Sequence, residues 1–186
     1  MTTLAEIIQD LHREAEDQPF ATRLVTGTVT TAEYLNYLYQ LLLIYDPIEF
    51  GCQVQGFFTD LPGLYRLPRL YQDYLELAGP GQVGCWLPET LAYHQYLLEL
   101  LNDPARRHRL QAHLYIRHAG DMSGGQTIAR QVPGSGRFYA FEDLPALKSG
   151  LLARLDPREL GAEARTAFRW NITLLEALGR WSVTSA

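Results

Sequence analysis

Apolar residues recur along this chain every three to four positions, and no stretch alternates apolar and polar long enough to build a sheet. The pattern predicts an all-α protein. Leu4, Ile7, Ile8, Leu11 and Ala15 form the apolar face of a first helix, opened by a Thr3–Glu6 capping box and running to about Asp17. A second capping box, Thr30–Glu33, opens a helix carrying Tyr34, Leu35, Leu38, Leu41, Leu42 and Tyr45 and continuing to about Phe58. Pro47 lies inside it and predicts a kink near Tyr45 and Asp46. After an Asp60–Gly63 loop, a helix from about Pro68 to Leu77 is stopped by Gly79-Pro80-Gly81. Pro88 suits the first position of the next, which carries Leu91, Tyr93, Leu97, Leu98 and Leu101. Asp103-Pro104 starts a long helix that Pro133–Gly136 ends, and Phe138–Phe141 is an apolar connector without an assignment. A short helix from about Leu144 to Leu155 precedes a last one. Asp156-Pro157 caps that last helix, which runs to about Trp181 with Leu160, Ala164, Phe168, Ile172, Leu175 and Leu178 inward. Seven or so helices with short connections make an irregular multi-helix bundle, read as one domain over residues 1–186.

One helix breaks the local rules. Gly120, Gly124 and Gly125 sit in the run from Pro104 to about Gln131, and each costs roughly 1 kcal/mol against alanine in a helix interior. A helix keeps such residues where something approaches its backbone or where it bends. Gly120 and Gly124 are four apart and share a face, leaving a bare strip edged by Asp121 that suits a large planar ligand. Helix–helix packing through small residues is the simpler account of the same spacing. Gly125 is assigned to the bend more than to contact.

Composition narrows the class. The chain has 186 residues, 47% of them hydrophobic, and a formal net charge of -5, with no long basic block, which argues against a general nucleic-acid binder. Cys52 and Cys85 offer neither zinc spacing nor a disulfide framework, as expected of a reducing cytosol. Apolar runs fall short of the ~20 residues a membrane span needs, and the amino terminus lacks the pattern of a signal peptide. A cytoplasmic location is the expectation. His108, His113 and His118 are five apart, turn about 140° per step and do not share a face. With His94 they make no metal site, and the lack of a Glu-x-x-His pair argues against a di-iron carboxylate bundle.

Three blocks together resemble the haem oxygenase family: Leu11-His12-Arg13-Glu14-Ala15-Glu16, the run from His113 to Gln126, and Ala164–Asn171. Their order and separations fit across nearly the whole chain, and the middle block is the specific one. The resemblance implies that haem b is both cofactor and substrate, opened with O2 and electrons to biliverdin, carbon monoxide and free iron. It makes His12 the iron ligand, with Glu16 at i+4 accepting from the other ring nitrogen. Taken alone, a histidine on an apolar face is more often a satisfied core residue, and Glu16 a solvated helix charge. Gly120, Gly124 and Gly125 become the distal strip. Asp121 anchors the water that engages oxygen, and an ionised carboxylate, as acceptor only, orients that water's hydrogens. Arg117, Tyr45, Tyr93 and Asn171 match the rest of the family's distal network. Tyr115 and Lys148 match its partners for the haem propionates, whereas Ala5 and Leu152 stand where the family carries cations. Arg154 and Arg13 are the nearby substitutes.

The implied partners are an electron donor such as ferredoxin or a reductase, and a biliverdin acceptor such as a reductase or a phytochrome. The Arg106–Arg109 cluster is either a docking point for an acidic donor or a solvated helix start. The functional alternatives are a haem carrier or sensor without ring cleavage, and a relative acting on a thiamine-like or quinone-like molecule. The second of these leaves His12, Glu16 and the glycine strip without a purpose.

Overall fold

The structure is a computed structural model that describes residues 2–79 and 84–184, with side chains through Trp181. Among these it has ten α-helices, three short 3-10 turns and no strand. The helices are α1 (Leu4–Ile7), α2 (Gln9–Glu16), α3 (Pro19–Thr26), α4 (Thr31–Val54), α5 (Leu67–Leu77), α6 (Pro88–Asn102), α7 (Leu110–Ser123), α8 (Gly125–Ile128), α9 (Leu144–Leu152) and α10 (Pro157–Thr184). The core is one contiguous cluster to which nearly every helix contributes. Among the described residues, no helix is long and apolar enough to cross a membrane.

Helix α4 is the central rod, packed against α5, α6 and α7, while α10 packs against α7, α2 and α3. Such a position needs a helix that is apolar on most sides. Tyr34, Leu35, Leu38, Leu41, Ile44, Tyr45, Ile48 and Cys52 are accordingly all buried. Both predicted capping boxes form: Thr3 and Thr30 accept from the backbone of Glu6 and Glu33, and each glutamate accepts in return from the cap backbone.

Pro47 stays inside α4, and the structure shows what becomes of the hydrogen bond it removes. The carbonyl of Leu43, four residues earlier, lies 2.8 Å from Nδ1 of His94 on α6. A carbonyl only accepts, so Nδ1 carries the proton. The proline defect thereby becomes a tie between α4 and α6.

Several boundaries differ from the expectation. The first helix divides at Ile8, whose backbone (φ -107, ψ 6) leaves the α region between α1 and α2. Helix α3 is an addition to the sequence pattern, although Pro19 at its start and Gly27 at its end (φ 72) are the usual signs of one. Asp103-Pro104 does not open the glycine-bearing helix. Asp103 instead caps a turn, accepting from Ala105, and a 3-10 turn over Arg107–Arg109 leads into α7. The glycines then divide the predicted helix into α7 and α8. Phe138 belongs to a 3-10 turn, Arg137–Tyr139. Helix α5 ends at Leu77, while Pro80 and Gly81 of the predicted stop lie outside the described residues.

Replacing His94 by phenylalanine leaves the Leu43 carbonyl without a partner and should cost about 1–3 kcal/mol of stability in urea unfolding. In a Pro47→Ala background the backbone at that position regains an N–H that can bond to the Leu43 carbonyl. The same His94 substitution should then cost much less, so a double-mutant cycle checks the assignment.

Candidate active site

A cavity of about 840 Å³ opens between the amino-terminal helices and the α7–α8 segment. That is toward the large end of small-molecule and cofactor pockets. Helices α1 and α2 supply Ala5, Gln9, His12, Arg13 and Glu16, and α7 and α8 supply Tyr115, Arg117, Gly120, Asp121 and Gly125. Gly124 between them, Tyr37 of α4, Tyr139, and Phe168 and Asn171 of α10 complete the part that carries chemistry.

His12 is not a packed core residue. Its side chain is 57% exposed although it sits beside the buried Leu11 and Ala15. Nδ1 lies 3.4 Å from Oε2 of Glu16 one turn on, and the ring lies 5.9 Å from that of Phe168. Glu16 is thus placed to favour the tautomer with its proton on Nδ1, which would leave Nε2 with a lone pair for a ligand.

A side chain built at Gly120 would meet nothing within 4 Å, and at Gly124 only the carbonyl of Gly120, at 3.8 Å. The strip is therefore bare backbone facing open space, not a seam for another helix. Gly125 differs: its added carbon would lie 2.5 Å from the ring of Tyr139. Gly125 is thus a close contact with a tyrosine and not chiefly a hinge, and the helix breaks at Gly124 beside it.

Beside the strip, α7 is buried and polar. Asp121 accepts a 2.5 Å hydrogen bond from the Tyr45 hydroxyl. Burial raises its pKa to about 6, against the pull of His118, Tyr45 and Arg117. Burial also opposes the charge of Arg117, but Tyr93, Tyr45, Tyr37 and Asp121 around it outweigh that and keep its pKa above the ordinary value. Arg117 donates to Oδ1 of Asn171 at 2.7 Å, while its Nε and Nη2 are buried without a partner. Tyr93 stands outside the cavity wall. Its ring lies beneath the Arg117 guanidinium, stacks on Trp170 at 5.2 Å, and its hydroxyl lies 2.7 Å from Nδ1 of His113.

Sequence reasoning assigns no role to two buried pairs. His113 Nε2 lies 3.0 Å from Glu163, and burial lowers the histidine's pKa. His118 Nε2 lies 3.0 Å from Glu49, whose two oxygens also accept from the backbone of Arg66 and Leu67. Burial of a histidine cannot be read from its spacing, so neither pair has a sequence signal. Among the described residues no cluster of His, Cys, Asp or Glu forms a metal site by itself.

Lys148 and Arg154 fall elsewhere. Helix α9 contributes nothing to the cavity wall, and Arg154 pairs with Asp60 and the Gly150 carbonyl. Arg13, in contrast, lines the cavity. The Arg106–Arg109 cluster is engaged within the chain: Arg106 with Asp103, Arg107 with the Leu101 carbonyl, His108 with Glu159 and Arg109 with Glu163.

A carboxyl whose pKa rises on folding stabilises the fold while protonated, and that contribution fades as pH climbs through the folded value. For Asp121 the window runs from about 4 to 6. In the ligand-free protein, wild type should therefore lose on the order of 2–3 kcal/mol relative to Asp121→Asn across that window. Parallel urea titrations at pH 4, 5, 6 and 7 measure the difference.

Known proteins share this architecture. The structure superimposes on heme oxygenase-1 of the cyanobacterium Synechocystis, solved with heme, with a TM-score of 0.83 at 23% identity over 98% of this chain and 93% of that one. Heme oxygenase-2 of Synechocystis, solved with heme and NO, gives 0.82 at 24% identity over 99% and 88%. At that identity the likeness shows the fold. Bovine heme oxygenase 1 is 29% identical over 203 residues, 94% of this chain and 70% of its own length. The sequence model of the family described as Heme oxygenase matches residues 1–177, and the chain belongs to that family.

Proposed function

We propose that this protein is a haem oxygenase that opens haem to biliverdin with release of carbon monoxide and iron, using O2 and electrons from a separate donor such as ferredoxin or a reductase. One observation supports the reading above others. A single cavity brings together an imidazole with a free Nε2, a glycine strip with nothing above it, and the buried Asp121–Arg117 arrangement. These residues fit haem. A neutral imidazole is the usual ligand of haem iron. The space that a Cβ at Gly120 would enter admits a flat macrocycle. Two orphaned guanidinium nitrogens need polar partners that the protein does not supply.

His12 would hold the iron and Glu16 would fix its tautomer. When bound, haem supplies the site of oxygen activation and the ring that is opened. The chain's own part is to bind, orient and manage protons. Asp121, acceptor-only once ionised, orients water hydrogens toward itself, and Tyr45 occupies its Oδ2 and so fixes the plane of the carboxylate. Arg117 and Asn171 form a second hydrogen-bonded pair at the same cavity wall. Tyr93 acts behind them, by carrying the guanidinium on its ring.

Haem carries two carboxylates. We assign their partners to Tyr115 and Arg13 at the cavity wall in preference to Lys148 on α9 and Arg154 in the turn after it. The two cysteines are free, in keeping with a cytoplasmic location. A carrier or sensor of haem on the same fold would have little use for a desolvated carboxylate beside an arginine, since that arrangement strains binding and serves chemistry.

Three outcomes are expected. His12→Ala should abolish the Soret band of the ferric complex at stoichiometric haem, whereas Asp121→Ala should keep haem affinity within about threefold while biliverdin, read by its broad red absorbance, falls at least tenfold; an undiminished yield would refute the role of Asp121. Gly120→Ala should stabilise the haem-free protein by up to ~1 kcal/mol, because nothing resists the new methyl group, yet weaken haem binding. Arg13→Ala should lower affinity for haem but not for its dimethyl ester.

A further inference from the structure

Two phenols in the core lack a well-formed hydrogen bond. The hydroxyls of Tyr34 and Tyr139 are buried, with the residues 0% and 1% exposed, and neither meets a partner at hydrogen-bond geometry, although the Tyr139 hydroxyl comes near enough to act on those of Tyr34 and Tyr37. Tyr139 nevertheless lines the haem cavity, as does Tyr37, and the ring of Tyr37 lies 6.2 Å from that of Tyr34. Tyr34 and Tyr37 oppose ionisation of Tyr139, whereas the Tyr139 hydroxyl eases that of both, and Asp121 opposes all three. Burial is the main cause in each case, and it keeps the groups neutral, hence able to donate.

The chain builds this arrangement at some cost. Tyr139 is clamped from both sides: its carbonyl accepts from Gln126 at 2.8 Å, and Asp73 accepts from the backbone of Arg137 and Phe138 just before it. Gly125 is bare where the Tyr139 ring needs the space. Tyr34 and Tyr37 are three apart on α4 and so rise from one face. Phenylalanine would fill the same volume at each position without stranding a hydroxyl. Buried polar groups seldom go unsatisfied, and an ordered water is their usual partner. Such a water needs two to four polar neighbours in a space roomy enough to hold it, and the cavity and the three hydroxyls supply both.

We infer that Tyr34, Tyr37 and Tyr139 enclose an ordered-water site at the edge of the haem cavity, a hydrogen-bonding arm beside Asp121 that is separate from the Arg117–Asn171 pair. Its water donates toward the distal side of the cavity and is itself oriented by the phenols. Tyr139 and Tyr34 are positioning residues: they act through the water and touch no substrate. This rests on the haem reading and adds residues that the distal pattern in the sequence did not include.

The test begins with the haem complex, whose formation is checked by its Soret band; absence of that band defeats the functional reading, a failure distinct from failure of the water site. A high-resolution crystal structure of the complex should show a water within hydrogen-bond distance of at least two of the three hydroxyls. A dry site, or hydroxyls bonded directly to one another, overturns the proposal. Fluoride binding to the ferric complex then reports distal donors in solution. Tyr139→Phe and Tyr34→Phe should each weaken it at least threefold with the melting temperature and Soret maximum unchanged, whereas Tyr71→Phe on the exposed face of α5 should not. Unchanged fluoride affinity in both core variants likewise overturns it. Should Tyr139→Phe fail to fold, Tyr34→Phe, on α4, carries the same test.

Discussion

Helix α7 is fastened by its polar side chains, and the rest of the site depends on that. A helix is ordinarily held by an apolar stripe. Here the side toward the cavity must stay bare at Gly120 and, just beyond the helix end, at Gly124, so it has little to pack with. The buried side packs Leu110, Leu114 and Met122 and also bonds: His113 to Glu163 and Tyr93, Arg117 to Asn171, His118 to Glu49, and Asp121 to Tyr45. These partners come from α10, α6 and α4. The three helices therefore hold α7 along its length, from His113 to Asp121, by directional contacts that a shift of an ångström would break.

Such fastening gains position more than stability. Charges taken out of water lose solvation that their mutual attraction only partly restores, so a well-packed apolar replacement is often as stable or more so. The upward shift of Asp121 registers that penalty. What these hydrogen bonds supply is uniqueness: a carboxylate with two donors and one geometry cannot slide as leucine against leucine can. Glu49 illustrates it. It takes His118 from α7 and the backbone of Arg66 and Leu67 at the start of α5, so one residue of α4 fixes two neighbours at once.

Much of this is legible in the sequence, for local reasons. Capping boxes at Thr3 and Thr30 are contacts between residues three apart and form as the pattern predicts, as does the helix that starts at Pro88, though not one at Pro104. The His12–Glu16 spacing and the glycine strip are likewise local, and the structure brings both to one cavity with Asp121, Arg117, Tyr115 and Asn171. The failures are of another kind. The turns after Asp103 and at Ile8 arise where tertiary packing overrides a helical period. Tyr37 and Tyr139 look like ordinary core residues because periodicity reports that a position faces inward, not whether an empty space lies there. Lys148 on α9 and Arg154 just after it depend on where that segment docks relative to the cavity, which no pattern within it encodes.

The two faces of α7 also explain why its sequence runs against helix propensity. Gly120 and its neighbours at the helix end each forgo roughly 1 kcal/mol that alanine would give, and Asp121 is held desolvated beside them. Local rules are broken in natural sequences where function requires it, and the loss is offset elsewhere. Here the offset lies in α4, buried on most sides, and in α10, whose apolar face seals the bundle. The two longest and most regular helices thus carry the stability that lets a short, bare and charged one be held where a ligand needs it.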